Sequence, residues 1–182
     1  MEIYLIRHTT PRIAKGICYG QADLDVAATF EKEASSILSS INILEEAKVF
    51  SSPLKRCTKL AQKFSNNINI DKRLLELNFG DWELLKWDEL PQPDSDIWMN
   101  DFVNVTVTNG ESYKDLAKRA NEAFTEIISS PEKQLIIITH SGVIRSILSR
   151  INNINLKDSF DINIQYGQVF KLYKQQNLIT LI

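Results

Sequence analysis

The feature that most limits what this chain can fold into lies late in the sequence. Within Gln134 to Thr139, the residues Leu135-Ile136-Ile137-Ile138 form an unbroken apolar run, the mark of a strand covered on both faces. The run stops at His140-Ser141-Gly142, and Val143, Ile144, Ile147 and Leu148 take up helical spacing at once. Two earlier stretches repeat the design. Ile3-Tyr4-Leu5-Ile6 ends in Arg7-His8-Thr9-Thr10-Pro11, and Lys48-Val49-Phe50-Ser51-Ser52 is followed by Pro53, which suits the first turn of a helix. Strands separated by helices predict an α/β protein, a three-layer α/β/α sandwich around a mostly parallel central sheet.

The elements between these strands follow from apolar spacing. Phe30, Ala34, Ile37, Leu38 and Ile41 predict a helix over 29–41 with Thr29 as its N-cap; Lys32 stands where a capping box wants Glu. Leu54, Cys57, Leu60, Ala61 and Phe64 form the stripe of a second helix, with Arg56 off that stripe, where arginines are usually solvated. Ile68 to Ile70 is a weak strand, and Ser112 caps a long helix carrying Leu116, Ala120, Ala123, Phe124, Ile127 and Ile128. Trp87 to Asn109 is the least regular part and reads as a lid or substrate wall. The tail alternates at Ile162, Ile164 and Tyr166, then at Val169, Leu172 and Tyr173 and from Leu178 to Ile182, which predicts closing strands with turns at Gly167 and Gln176-Asn177.

At 182 residues, one domain spanning 1–182 is expected. A net charge of −2 offers no basic field for a nucleic acid or an anionic membrane, so neither is expected as a partner. No run approaches the length of a membrane span, and Cys18 and Cys57 are far apart, which fits free thiols in a cytoplasmic protein.

Chemistry concentrates where strands meet helices, because ligands of such sheets collect at the carboxyl ends of the strands. Arg7-His8, Arg56 and His140 all fall there, and the chain has only these two histidines. Taken alone, Arg7-His8 reads equally well as a polar strand end with an incidental histidine. Glu76, between Leu75 and Leu77, is the best candidate for a general acid, since an apolar setting makes a carboxyl group hold its proton. The ordinary reading of Glu76 and Glu83 is a solvent-facing carboxylate in a loop. Asp94, Asp96 and Asp101 lack the ligand spacing of a magnesium site. There is no G-x-x-x-x-G-K-[ST], G-x-G-x-x-G or G-x-S-x-G, and two histidines beside two arginines make a poor metal site. Neither a cofactor nor a metal is expected. Two arginines, two histidines and an acid suit phosphoryl transfer, with a small phosphorylated metabolite as substrate.

Four blocks, Leu5-Ile6-Arg7-His8-Thr9, Ser51-Ser52-Pro53-Leu54-Lys55-Arg56, Glu76-Leu77-Asn78-Phe79-Gly80-Asp81-Trp82-Glu83 and Thr139-His140-Ser141-Gly142, resemble in order the motifs of the histidine phosphatase (phosphoglycerate mutase-like) superfamily. The resemblance implies a phosphoglycerate mutase-like fold, a phosphohistidine formed on His8, a phosphate pocket completed by Arg7, Arg56 and His140, and proton donation by Glu76. A narrower likeness, to the alpha-ribazole phosphatases of that superfamily, rests on Arg7-His8-Thr9 in place of Arg-His-Gly, on the loop Gly16-Ile17-Cys18-Tyr19-Gly20-Gln21-Ala22-Asp23, and on Trp98-Met99-Asn100-Asp101-Phe102 with Asn109-Gly110-Glu111-Ser112. It implies removal of the 5′-phosphate of alpha-ribazole phosphate in cobalamin assembly, with Thr9, Tyr19 and Gln21 added to the substrate contacts; Trp98 and Phe102 are further stacking candidates. Other small phosphorylated metabolites, a mutase activity, a phosphate-binding module without catalysis and a homodimer all stay open. Two positions depart from the pattern: Leu84 stands where many relatives have glycine after Trp-Glu, and Ser141 where glycine often follows the second histidine.

Overall fold

A computed structural model describes residues 1–176 and 178–182. The six strands are β1 (Glu2–Arg7), β2 (Lys48–Ser51), β3 (Ile68–Ile70), β4 (Gln134–Thr139), β5 (Val169–Gln175) and β6 (Leu178–Leu181), in one sheet of order β3-β2-β4-β1-β5-β6. The four strands from β3 to β1 pair in parallel, and β5 joins β1 antiparallel. The described residues hold five α-helices: α1 (Phe30–Ser39), α2 (Lys55–Ala61), α3 (Asp94–Asn100), α4 (Tyr113–Ile127) and α5 (Ser141–Ile151).

The period-two direction of strand side chains explains the layering. Ile3 and Leu5 of β1, with Leu135 and Ile137 of β4, pack against Leu116 and Phe124 of α4 and Ile144 and Ile147 of α5. Tyr4 and Ile6, with Ile136 and Ile138, face the other way onto Phe30 and Ile37 of α1 and Cys57 and Leu60 of α2. Every residue of β4 is buried, as its unbroken apolar run requires.

Several boundaries depart from sequence expectation for local reasons. Thr29 is helical and gives α1 no side-chain cap; its hydroxyl donates to Glu33 Oε1 at 2.5 Å. The second helix is shorter than its stripe, beginning at Lys55 rather than at Pro53 and ending at Ala61. Ser112 does cap α4, in a reciprocal box with Asp115. The segment around Ile162, Ile164 and Tyr166 is not a strand. The carbonyls of Ile162 and Ile164 accept instead from the side chains of Arg145 and Arg7, so they serve the site rather than a ladder. At the β5–β6 turn, Gln176 has φ +53°, and Asn177 lies outside the described residues. The expected wall from Trp87 to Asn109 holds a 3-10 turn at Trp87–Glu89 and then α3, whose Trp98 is buried edge-on against Trp82 and Phe79. Among the described residues, no helix is long and apolar enough to cross a membrane.

Candidate active site

Parallel register brings the chemistry together. Arg7 at the end of β1 sits beside Thr139 at the end of β4, so the next residues, His8 and His140, leave the sheet as neighbours. Their rings meet edge to face at 5.1 Å between centroids. β2 ends one strand further over, and its continuation starts α2, which carries Arg56 back over the sheet edge.

His8 is buried, and its Nδ1 lies 2.7 Å from the carbonyl oxygen of Thr9. A carbonyl can only accept, so Nδ1 carries the proton and Nε2 keeps its lone pair. The Nε–H of Arg56 donates to that Nε2 at 3.3 Å. Burial, with the Arg56 and Arg7 guanidiniums adding, holds His8 well below the ordinary imidazole range. The same burial and the same cations, with His8 itself, hold His140 low. Both rings are therefore neutral at physiological pH.

Arg56 is not the solvated surface arginine that its place off the apolar stripe suggests. It has no exposed surface, and its terminal nitrogens donate to the carbonyls of Ala22 at 2.8 Å and Gly20 at 2.5 Å. No carboxylate lies within ion-pairing distance of it among the described residues. Arg7 donates to the carbonyl of Ile164 at 2.6 Å and lies over the ring of Tyr166 at 3.9 Å; its Nε is buried with no partner. Buried guanidinium donors without an acid call for an anionic ligand.

Glu76 faces the same cavity, but its carboxylate does not meet the apolar setting that the flanking leucines suggest. It accepts from Leu77 N–H at 3.0 Å, Ser141 Oγ at 3.2 Å and Gly142 N–H at 3.1 Å, at the positive end of α5. Residue 142 has to be glycine for this approach, because a Cβ there would stand 2.4 Å from Glu76 Oε1. Behind Glu76, Arg119 of α4 donates to the carbonyls of Arg73, Leu75 and Glu76 and pairs with Glu111, which also accepts from Asn78 N–H.

The cavity, of about 220 Å³, is lined by Arg7, His8, Arg56 and Glu76 at its polar end and by Tyr19, Phe79, Trp87 and Phe160 along its walls. His140 stands behind His8, fully buried, with Nε2 at 2.8 Å from Ser52 Oγ and at 3.5 Å from the Cys57 thiol, which burial pushes up to about 12. Of the three residues expected to read the substrate, only Tyr19 reaches the wall. Thr9 is fully buried and acts on His8 through its carbonyl, and Gln21 donates to the backbone oxygen of Glu76. Trp98 is buried away from the cavity, and Phe102 packs on Phe160.

Sequence reasoning missed Arg145. It lines the cavity from α5, its Nε donates to the carbonyl of Ile162 at 3.1 Å, its guanidinium lies 5.0 Å from the Phe160 ring, and burial lowers its pKa. Its four-residue spacing from Ser141, which puts both on one face of α5, was the available signal. Glu83, ordinarily a loop carboxylate in solvent, is half-buried and collects backbone N–H groups.

The sequence pattern of the histidine phosphatase superfamily, branch 1, matches residues 3–181. The chain is 23% identical over its full length to the adenosylcobalamin/alpha-ribazole phosphatase of Escherichia coli K12, covering 94% of that protein. The crystal structure of the alpha-ribazole phosphatase from Shigella flexneri superposes with a TM-score of 0.91 at 23% identity, covering all of this chain and 95% of that one. A mycobacterial glucosyl-3-phosphoglycerate phosphatase superposes with a TM-score of 0.82 at 18% identity, covering 94% and 89%. With its match running almost end to end, this chain belongs to the histidine phosphatase superfamily, branch 1.

Proposed function

We propose that the protein is a metal-independent phosphomonoesterase that works through a phosphohistidine at His8. The observation that carries the reading is Arg56, a guanidinium with no exposed surface and no acid partner among the described residues, donating to Nε2 of a neutral histidine. Arg7 and Arg56 take the equatorial oxygens of a phosphate monoester. The Nε2 lone pair attacks phosphorus as the bond to the leaving oxygen breaks, and Glu76 gives that oxygen its proton. Glu76, now a carboxylate, takes a proton from the water that opens the phosphohistidine, and orthophosphate leaves. His140, neutral and edge-on to His8, holds the attacking ring without adding a third positive charge.

The favoured substrate is alpha-ribazole 5′-phosphate. Support comes from the Gly16–Asp23 loop, from full-length similarity to relatives that bear that name, and from the aromatic wall of Tyr19, Phe79, Trp87 and Phe160, which suits a planar base. Arg145 favours a second reading. Arg7 and Arg56 match a phosphate dianion, and Arg145 is a third guanidinium on the cavity wall, which fits a carboxylate on the leaving group. Catalytic efficiency on alpha-ribazole 5′-phosphate, 3-phosphoglycerate and an aryl phosphate, measured in a chelator, decides between them. A clear lead for the first supports the primary reading, and a lead for the second supports the Arg145 reading. Activity that needs an added divalent ion, or a His8→Ala variant that keeps turnover or an acid-labile phosphoenzyme, overturns the mechanism.

A further inference from the structure

A buried guanidinium is costly unless something negative answers it. None of the groups touching Arg56 is charged: they are a neutral imidazole and two carbonyls. A carboxylate lies one peptide further out. Glu83 is half-buried, forms no ion pair among the described residues, and accepts from the N–H groups of Gly20 at 3.0 Å, Gln21 at 2.8 Å, Ala22 at 3.0 Å and Phe79 at 3.2 Å.

The Gly20–Gln21 peptide is shared between the two charges. Its carbonyl oxygen accepts from Arg56 Nη2 at 2.5 Å, and its N–H donates to Glu83 Oε1 at 2.8 Å. In a trans peptide these two groups point in opposite directions, so the dipole has its negative end on the guanidinium and its positive end on the carboxylate. The loop that carries the peptide packs closely on its neighbour. A Cβ on Gly20 would stand 1.7 Å from the carbonyl oxygen of Leu77, so the glycine lies directly on the segment that bears Glu76.

We propose that Glu83 is the remote counter-charge of Arg56, coupled to it through the Gly20–Gln21 peptide, and is thereby a positioning residue for phosphate binding. Glu83 touches no substrate. It fixes the carbonyls that hold the back of the Arg56 fork, which leaves the remaining guanidinium hydrogens aimed at phosphate oxygens. The inference rests on the reading of Arg56 as a phosphate ligand.

The test is thermal unfolding with increasing inorganic phosphate, on the full chain and without turnover. The Tm without phosphate reports stability, and its rise with concentration reports the phosphate Kd. Glu83→Gln is expected to raise that Kd about tenfold, as loss of a charge-assisted contact does. In an Arg56→Ala background the same change is expected to move Kd by no more than about twofold, because the coupling has lost its far end. A Glu83→Gln protein with lowered Tm and unchanged Kd overturns the proposal, as does a double variant whose losses multiply. Where Glu83→Gln does not fold, Glu83→Asp, which keeps the charge but shortens its reach, carries the same cycle. An Arg56→Ala variant that binds phosphate normally overturns the functional reading of the pocket instead.

Discussion

Ser141 and Leu84, the two residues that depart from the family pattern, have different meanings. Ser141 donates to Glu76 Oε2, so it steadies the proposed proton donor. Ser141→Ala is expected to lower kcat about three- to tenfold on alkyl phosphates, the worth of one ordinary hydrogen bond. Aryl phosphates, whose leaving groups need no proton, are expected to change little, and Ser141→Thr is expected to restore the rate. Equal losses on both substrate types would refute a role through Glu76. Leu84 sits at φ +69° and is 56% exposed, so it bears left-handed strain and buries little in return. Leu84→Gly is expected to relieve that strain, offset in part by glycine's greater unfolded freedom, for a net gain of ~0.5–1 kcal/mol. That gain is read as a Tm higher by about 1–4 °C. The backbone N–H of residue 84, which donates to the carbonyl of Cys18 at 2.8 Å, is kept.

At the scale of elements, the helices act as brackets for short irregular segments. The start of α5 grips the carboxylate of Glu76, while Arg119 of α4 holds three carbonyls of the 73–76 stretch from behind. Replacing Arg119 takes the donor from the carbonyls of Arg73 and Leu75 and breaks the ion pair with Glu111, while the Glu76 carbonyl keeps Gln21 and Glu111 keeps Asn78 N–H. Arg119→Met is therefore expected to cost ~2–3 kcal/mol in denaturant unfolding. It is also expected to lower kcat on alkyl phosphates more than it raises KM, because Arg7 and Arg56, the proposed phosphate ligands, are untouched. These brackets were not legible in the sequence. Apolar periodicity located β1, β2, β4, α1, α4 and the body of α5, because burial repeats with the period of the element. The stretch from Ile162 to Tyr166 alternates as a strand does, yet its carbonyls bind arginines, and alternation carries no record of which partner a carbonyl takes.

For the whole molecule, the site couples stability to pH. Burial and neighbouring cations hold both histidines well below the ordinary imidazole range, whereas in the unfolded chain each takes up a proton near ~6.5. Below that pH the unfolded state binds more protons than the folded one. Stability is thus fully present above ~6.5 and falls as the pH drops through it, by up to ~1.4 kcal/mol per pH unit for each histidine. Denaturant midpoints between neutral pH and about pH 5.5, in a phosphate-free buffer, are expected to fall accordingly. A variant lacking both imidazoles is expected to lose most of that slope. Sequence alone determined the sandwich, the strand ends that bear Arg7, His8 and His140, and the candidacy of Glu76, because strand burial and junction chemistry are local and leave a pattern along the chain. Only the tertiary structure decided that Arg56 is buried, that Arg145 shares the cavity, that Thr9 and Gln21 make their contacts through backbone atoms, and that Glu83 and Arg56 meet the same Gly20–Gln21 peptide. Each of these depends on a polar atom meeting a partner distant in sequence, and no residue's type or spacing specifies that meeting.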